Sequence, residues 1–214
     1  MMMGLLLVAA ALFLSVYNMW GEYHAARSAD RALEQIEAVL PREQEAQEGQ
    51  QALTAQENGI KGETSDDAAD EEAEMTVKYI AGQEYIGVVE IPSLSLKLPV
   101  ISQWNEERLK LSPCRYTGSV YTNDLIISGH SYKHHFRYIR NLTPGDSVIF
   151  TDMEGKQFFY EVCTTEIIPT NGVEQMAEGD WDLTLFTCTY NGSSRHTVRC
   201  HLIQEENSQF KRQS

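Results

Sequence analysis

Two side chains that can carry nucleophilic chemistry stand where strand-like sequence ends in a turn. Cys188 ends the run 182–188, and His130 follows the apolar run 125–128 after a single glycine. A strand end is where a rigid scaffold can present a side chain to a substrate. A thiol beside an imidazole can attack a carbonyl carbon, because the imidazole accepts or shares the thiol proton. The pair therefore predicts covalent catalysis by a cysteine.

A cation that could stabilise a developing oxyanion follows soon after the cysteine. A hairpin at Asn191-Gly192 would bring Arg195 back beside Cys188, with its planar guanidinium within reach of a substrate carbonyl. Arg199 is the rival for this role, but it lies inside the predicted last strand, so we prefer Arg195. Spacing alone does not establish a catalytic trio, because a cysteine, a histidine and an arginine occur together by chance in most proteins.

The elements that must position these side chains are short strands. From about Tyr79 onward, the chain consists of short runs rich in valine, isoleucine, threonine, tyrosine and phenylalanine, separated by turn residues such as those at 143–146. Seven or eight strands in ~130 residues predict a closed β-barrel or a sandwich. The helical pattern in this region is weak and is limited to Asn105–Leu111 and Phe136–Asn141.

The first twenty residues carry no charge, and this is about the length that a helix needs to cross a bilayer. Tyr17 and Trp20 stand at its end, where interfacial aromatic residues are common. Neither a basic n-region nor an A-x-A-like site indicates a cleaved signal peptide, so we predict an uncleaved transmembrane anchor at 1–21. The positive-inside rule gives no support for an outside C-terminus, because Arg27 and Arg31 follow the segment and no basic residue precedes it.

Two further segments separate this anchor from the strand-rich domain, which we place at 76–214. Apolar residues at three-to-four spacing predict an amphipathic juxtamembrane helix at 22–40, interpreted as a stalk. Residues 41–75 hold 11 acidic and 2 basic side chains and no aromatic one. They cannot bury enough apolar area to fold, so we predict a disordered linker.

The net charge of −14 is mostly a property of this linker. The chain has no stripe of basic residues, which argues against nucleic acid as a partner.

The four cysteines form no CxxC pair and have no histidines at zinc-ligand spacing. A domain of this size can bury a sufficient core without disulfides. We therefore expect Cys114, Cys163 and Cys200 to be free and partly buried thiols. The spacing of the acidic residues at 180–182 predicts no calcium site, and we expect neither a metal nor a cofactor.

Residues 79–202 resemble the sortases of Gram-positive bacteria at five places, in the family's order. The matching segments are YIGVVEIPSLSLKLPVI, LIISGH, FRYIRNLTPGDSVIFTDMEGKQFFYEV with its Leu-x-x-Gly-Asp turn, TLFTC, and an arginine that introduces the last strand. Any one of these matches is weak. Five matches in the same order are hard to attribute to chance, so the chain resembles that family over this region.

The resemblance implies a mainly β fold, a closed eight-stranded barrel with short helices, preceded here by the transmembrane helix and the linker. It also implies a membrane-anchored cysteine transpeptidase that cleaves an LPxTG-like sorting signal of secreted proteins. Cys188 would hold the acyl half as a thioester and pass it to an amine of a lipid-linked peptidoglycan precursor or to a pilin lysine. His130 would protonate the leaving amine and deprotonate the incoming one, and Arg195 would bind the oxyanion.

Further expectations concern the substrate contacts and the cellular location. The resemblance implies that Thr187, directly before the nucleophile, contacts the substrate, and we expect Ser131 and Tyr190 to line the site. The layout fits class B and class D sortases. We expect a single-pass protein of the cell membrane with an extracytoplasmic catalytic domain. Two alternatives stay open: a cysteine peptidase that hydrolyses its acyl-enzyme, and a catalytically silent surface module that only binds a peptide.

Overall fold

The structure, a computed structural model, describes residues 2–40, 74–172, 174–190 and 192–203, and only the backbone of residues 2–7 and 18. The predicted acidic linker at 41–75 lies outside the described residues, except for its last two positions. The described residues form a long N-terminal helix and a strand-rich domain.

The described part of the strand-rich domain contains nine strands. They are β1 (Lys78–Ile80), β2 (Gln83–Ile91), β3 (Leu96–Ile101), β4 (Cys114–Thr117), β5 (Leu125–Gly129), β6 (Ser147–Asp152), β7 (Gln157–Pro169), β8 (Leu183–Cys188) and β9 (Ser194–Leu202). They form one sheet in the order β1-β2-β3-β4-β5-β8-β9-β7-β6, and an additional pairing between β2 and β6 closes it. The predicted closed eight-stranded barrel is confirmed as β2 to β9, with the short β1 added along β2.

The two strands at the centre of the sheet order, β5 and β8, are buried on both faces. Leu125 and Leu185 lie in the main core inside the barrel. A second apolar cluster covers the opposite face, and its members are Ile126, Ile168, Met176 and Phe186. Because successive side chains of a strand point to opposite faces, an apolar run such as these two strands carry fits burial on both sides.

The short helices lie where the sequence predicts them. Helix α2 (Glu106–Leu109) begins at Asn105, whose side chain accepts a hydrogen bond from the Arg108 backbone N at 2.7 Å. A 3-10 helix spans Phe136–Asn141. Both predictions of local helix are therefore confirmed. Two other 3-10 turns, Pro92–Leu94 and Glu174–Met176, precede β3 and β8.

The N-terminal helix α1 (Met2–Val39) runs without a break through the boundary predicted between residues 21 and 22. Its second half packs against the barrel with a stripe of small and apolar side chains that are at most 1% exposed, namely Ala25, Ala29, Ala32 and Ile36. Glu37 forms a 2.7 Å ion pair with Lys97 of β3. Most of the segment predicted as a helix at 22–40 lies in this second half of α1, and its contacts make it part of the folded unit.

The first half of α1 exposes apolar side chains, among them Leu12, Phe13 and Trp20, each at least 59% exposed. Over the side chains that the structure describes, no helix combines the length and the apolarity that a bilayer span needs. The transmembrane anchor predicted at 1–21 is therefore not confirmed.

Candidate active site

The carboxyl ends of β5 and β8 lie side by side at one edge of the barrel. The two strands are parallel, and their register ends with Gly129 opposite Thr187. His130 and Cys188 are the next residues, so they lie at the same level. Ile127 of β5 and Leu185 of β8 both lie in the main core. Alternation along each strand therefore directs His130 and Cys188 to the outer face.

The hairpin between β8 and β9 returns a cation to the cysteine. These strands are antiparallel, and Cys188 is paired with Arg195. Residues paired in this way carry their side chains on the same face, with Cα atoms about 4.5–5.5 Å apart. The Arg195 guanidinium makes a long 3.5 Å contact with the Ser194 carbonyl O, and among the described residues no carboxylate forms an ion pair with it. Its remaining donors are therefore available to a ligand.

Arg199, the rival cation, is committed to the fold. It is only 2% exposed. Its guanidinium donates hydrogen bonds of 2.6–3.0 Å to the Glu166 carboxylate, the Gln175 and Met176 carbonyls and the Thr184 hydroxyl. These bonds hold the 3-10 helix Glu174–Met176 over the outer face of β8. The geometry thus supports the preference for Arg195 as the cation that meets a substrate.

The His130 imidazole is half-buried and stacked on an aromatic ring. The Tyr132 ring lies parallel to it, with 3.9 Å between centroids and 7° between planes. Burial lowers the pKa of His130, the nearby Lys110 ammonium lowers it further, and the Glu22 carboxylate raises it. A lowered pKa keeps most of the imidazole neutral at neutral pH. A neutral imidazole can accept a proton from a thiol or an amine.

Gly129 leaves room for the Phe136 ring, which packs against the backbone directly before His130. A Cβ built on Gly129 would lie 2.3 Å from the Phe136 ring, and Phe136 is fully buried in the core. The Phe136 backbone N also donates to the His130 carbonyl O at 3.1 Å. A larger residue before His130 would therefore displace the ring on which the loop closes.

The other cysteines have different surroundings from Cys188. All four are free thiols, as expected for Cys114, Cys163 and Cys200. Burial raises the pKa of the Cys114 thiol to about 12 and raises the pKa of Cys200 as well. The partly buried Cys163 thiol points to the Glu161 carbonyl O at 3.6 Å. Cys188 alone of the four stands at the strand edge that His130 and Arg195 share.

The three residues predicted to contact the substrate lie in different places. Ser131 is half-buried beside His130, and its carbonyl O accepts a hydrogen bond from Arg137. Tyr190 is fully exposed in the turn after β8. Thr187 is 2% exposed, and its hydroxyl has no partner among the described residues. Alternation along β8 directs Thr187 to the barrel interior, away from the face of Cys188. Their roles stay predictions.

A row of aromatic side chains on the outer face was not singled out from the sequence. Phe186 is two residues before Cys188 and therefore on the same face of β8. Tyr116 of β4 meets it edge to face at 5.4 Å, and Trp104 meets Tyr116 at 6.2 Å. The period of two along β8 could have identified Phe186. The other two depend on how β4 pairs with β5, which the sequence pattern does not specify.

Residues 89–203, more than half of the chain, match the family model of the sortase domain. The chain belongs to the sortase family. The resemblance found in the sequence is thus confirmed, and members of this family are generally cysteine transpeptidases. No curated protein matches the chain by sequence.

Solved structures of sortases share this fold. A sortase D5 transpeptidase from Clostridium perfringens has a TM-score of 0.53 at 16% identity, covering 85% of this chain and 99% of that one. Sortase C-3 from Streptococcus pneumoniae has a TM-score of 0.52 at 19% identity, covering 79% and 88%. A lid mutant of sortase A from Corynebacterium diphtheriae has a TM-score of 0.50 at 21% identity, covering 61% and 76%. At such identities the likeness shows the fold.

A buried histidine behind the site makes stability depend on pH. His135 is fully buried, neither ring nitrogen has a partner among the described residues, and its ring centroid lies 5.7 Å from that of Tyr132. Burial, with smaller effects of His130 and His134, lowers its pKa to about 4. An unfolded histidine has a pKa of about 6.5, so below that pH the unfolded chain binds more protons than the folded chain.

We therefore expect the His135 contribution to be complete above pH ~6.5 and to be lost as the pH falls toward ~4, by about 3 kcal/mol in all. His135→Leu should reduce this loss, and His134→Gln, at an exposed position, should not. Urea unfolding at several pH values between 7.5 and 4.5 measures both. Equal pH slopes for His135→Leu and the wild type would contradict the expectation.

The two arginines of β9 should differ in their effect on folding. Arg199→Leu leaves the Gln175 and Met176 carbonyls without their donor, so it should lower the free energy of unfolding by about 3 kcal/mol. Arg195→Leu should change it by less than ~0.5 kcal/mol, because that side chain has few partners. Urea unfolding at pH 7.5 tests the pair. A larger loss for Arg195→Leu than for Arg199→Leu would reverse the roles assigned above.

Proposed function

We propose that this chain is a transpeptidase that cleaves an LPxTG-like sorting signal through a thioester and transfers the acyl part to an amine. The observation that carries the proposal is the register of three strands. The pairing of β5 with β8 and of β8 with β9 sets Cys188 between His130 and Arg195 on one outer face. A nucleophile, a proton carrier and an oxyanion donor are the groups that acyl transfer from a peptide requires.

In the first half of the reaction, the Cys188 thiolate attacks the scissile carbonyl carbon, and the electron pair of the C=O bond moves to oxygen. The Arg195 guanidinium donates hydrogen bonds to this oxyanion. When the intermediate collapses, the C–N bond breaks. The His130 imidazolium gives its proton to the leaving amine, and the acyl part remains as a thioester on Cys188.

In the second half, an acceptor amine attacks the thioester carbonyl carbon. His130, now neutral, takes a proton from the incoming nitrogen, and Arg195 again stabilises the oxyanion. The C–S bond breaks, the new amide leaves, and the thiolate–imidazolium pair is restored. We take the acceptor to be an amine of a lipid-linked peptidoglycan precursor or a pilin lysine, and the donor to be a secreted protein with a C-terminal sorting signal.

The proposed substrate contacts follow from the positions of the predicted residues. Ser131 flanks His130, and Tyr190 stands in the turn that follows Cys188, so both lie at the rim of the site. The Thr187 side chain faces the barrel interior, so the substrate contact that we propose for Thr187 is through its backbone, directly before Cys188. The exposed members of the aromatic row, Tyr116 and Trp104, offer an apolar wall for the signal on the same outer face.

The activity test uses the full chain in a mild detergent, with LPxTG-like peptides and candidate amines, and mass spectrometry of protein and products. We expect a thioester adduct and an amine-joined product from the wild type, and neither from Cys188→Ala. Cys163→Ala is the matched control and should behave as the wild type. Arg195→Leu should lower kcat by about 10²–10³, the usual cost of losing an oxyanion donor.

The outcomes separate the alternatives. Cleavage with no joined product at saturating amine would make the chain a cysteine peptidase. A bound peptide with neither adduct nor cleavage would make it a binding module. A joined product from Cys188→Ala would remove the proposed nucleophile.

We also propose that residues 1–21 anchor the chain in the cell membrane as a single-pass segment, with the catalytic domain extracytoplasmic. The absence of any charge from these residues and the position of Tyr17 and Trp20 support this. In cells, the full chain should stay with the membranes after extraction at alkaline pH. A variant with Leu12, Phe13 and Leu14 changed to serine should be released. Release of the unaltered chain would contradict the anchor.

A further inference from the structure

The loop that carries His130 is tied to the N-terminal helix by one side chain. Arg137, in the 3-10 helix Phe136–Asn141 that follows this loop, forms a 2.7 Å ion pair with Glu22 of α1. The Arg137 Nε also donates to the Ser131 carbonyl O at 3.1 Å. One guanidinium therefore joins α1 to the backbone of the residue that follows His130. This link is independent of the barrel strands.

A second contact brings the same stretch of helix against the ring that stacks on His130. A Cβ built on Gly21 would lie 4.0 Å from the Tyr132 hydroxyl, so α1 passes directly beside this tyrosine. The Tyr132 carbonyl O accepts a hydrogen bond from the Arg137 backbone N at 3.2 Å. The helix therefore lies beside Tyr132 at Gly21 and pairs with Arg137 at Glu22, two consecutive helix positions.

The charges that face His130 come from different elements. Glu22 lies on α1, and Lys110 follows α2; the Glu22 carboxylate raises the pKa of His130, whereas Lys110 and burial lower it. Within its own loop His130 faces Tyr132 and His135. Glu22 is thus the acidic group that favours the imidazolium, the form that must protonate a leaving amine.

We propose that Glu22 is a positioning residue: through Arg137 and the Ser131 carbonyl it holds the His130 loop in the orientation that proton transfer requires. The inference rests on the proposed function in one respect, that His130 is the proton carrier. It assigns a role in catalysis to α1, a helix that contributes none of the three proposed catalytic residues. The Glu22 and Arg137 side chains are 24% and 30% exposed, so solvent screens the pair, and its effect is on geometry more than on stability.

The chain supplies a matched control for this role. Glu37 forms an ion pair of the same 2.7 Å length with Lys97 and also joins α1 to the barrel. Glu37 lies where α1 faces β3, and none of its described contacts is with the His130 loop. If the ion pairs only dock the helix, Glu22→Gln and Glu37→Gln should have equal effects. If Glu22 positions His130, only its replacement should alter catalysis.

The experiment compares the full chain with Glu22→Gln, Glu37→Gln and the exchange Glu22→Arg/Arg137→Glu, in detergent, after thermal unfolding has shown each to be folded. We expect Glu22→Gln to lower kcat roughly ten- to hundredfold, as loss of an orienting partner does, with KM unchanged. NMR titration of the His130 ring should show a lower pKa in this variant. Glu37→Gln should change neither quantity. The exchange should restore the ion pair but not kcat, because the carboxylate it places at position 137 cannot donate to the Ser131 carbonyl O.

Two results would overturn the proposal: unchanged kcat and His130 titration in Glu22→Gln, or equal losses in Glu22→Gln and Glu37→Gln. If Glu22→Gln does not fold, Glu22→Asp replaces it, with a smaller loss of kcat expected and none as the contradicting result. The titration needs no substrate. If the wild type forms no joined product, the proposed function fails, while the shift of the His130 titration still decides whether Glu22 acts on His130.

Discussion

The parallel pairing of β5 with β8 is the constraint on which the site depends. Parallel neighbours end at the same edge of a sheet, and this pairing is what puts His130 and Cys188 at one level although 58 residues separate them in the chain. A slip of one residue would turn Cys188 into the barrel and Thr187 out of it. The register is fixed because Leu183 and Leu185 must be in the core for the barrel to close.

The same pairing explains why Arg199 is buried. With both faces of β5 and β8 in apolar surroundings, the outer face needs a cover, and the 3-10 helix Glu174–Met176 supplies it. A segment this short has too few internal hydrogen bonds to hold itself in place. Arg199 satisfies two of its carbonyls and fixes it to β8. Cys188 and Arg195, at the end of the same hairpin, are only half-buried and stay accessible to a substrate.

Features that depend on neighbours in sequence could be predicted, and features that depend on distant contacts could not. The alternation and turns of residues 79–202 indicate the barrel, and the hairpin after Cys188 indicates where Arg195 returns. The amphipathic stripe of 22–40 indicates a helix with a face to bury, but not that the barrel buries it. Alternation puts Thr187 and Cys188 on opposite faces of β8, but which face lies inside the barrel could not be predicted, because an apolar run buried on both faces shows no contrast between them.

Because α1 docks on the barrel, the folded catalytic domain includes this helix as well as the strands. Its stripe of small side chains lets the helix approach closely, so that Ile36 lies in one buried apolar cluster with Tyr85 and Met153 of the barrel. Without α1 these side chains would meet water, and each large apolar group newly exposed costs about 1.5–3 kcal/mol. The strands alone are therefore an incomplete folding unit. The same helix also pairs with Arg137 through Glu22. Removing α1 would therefore remove both the packing that stabilises the barrel and the contact that orients the His130 loop.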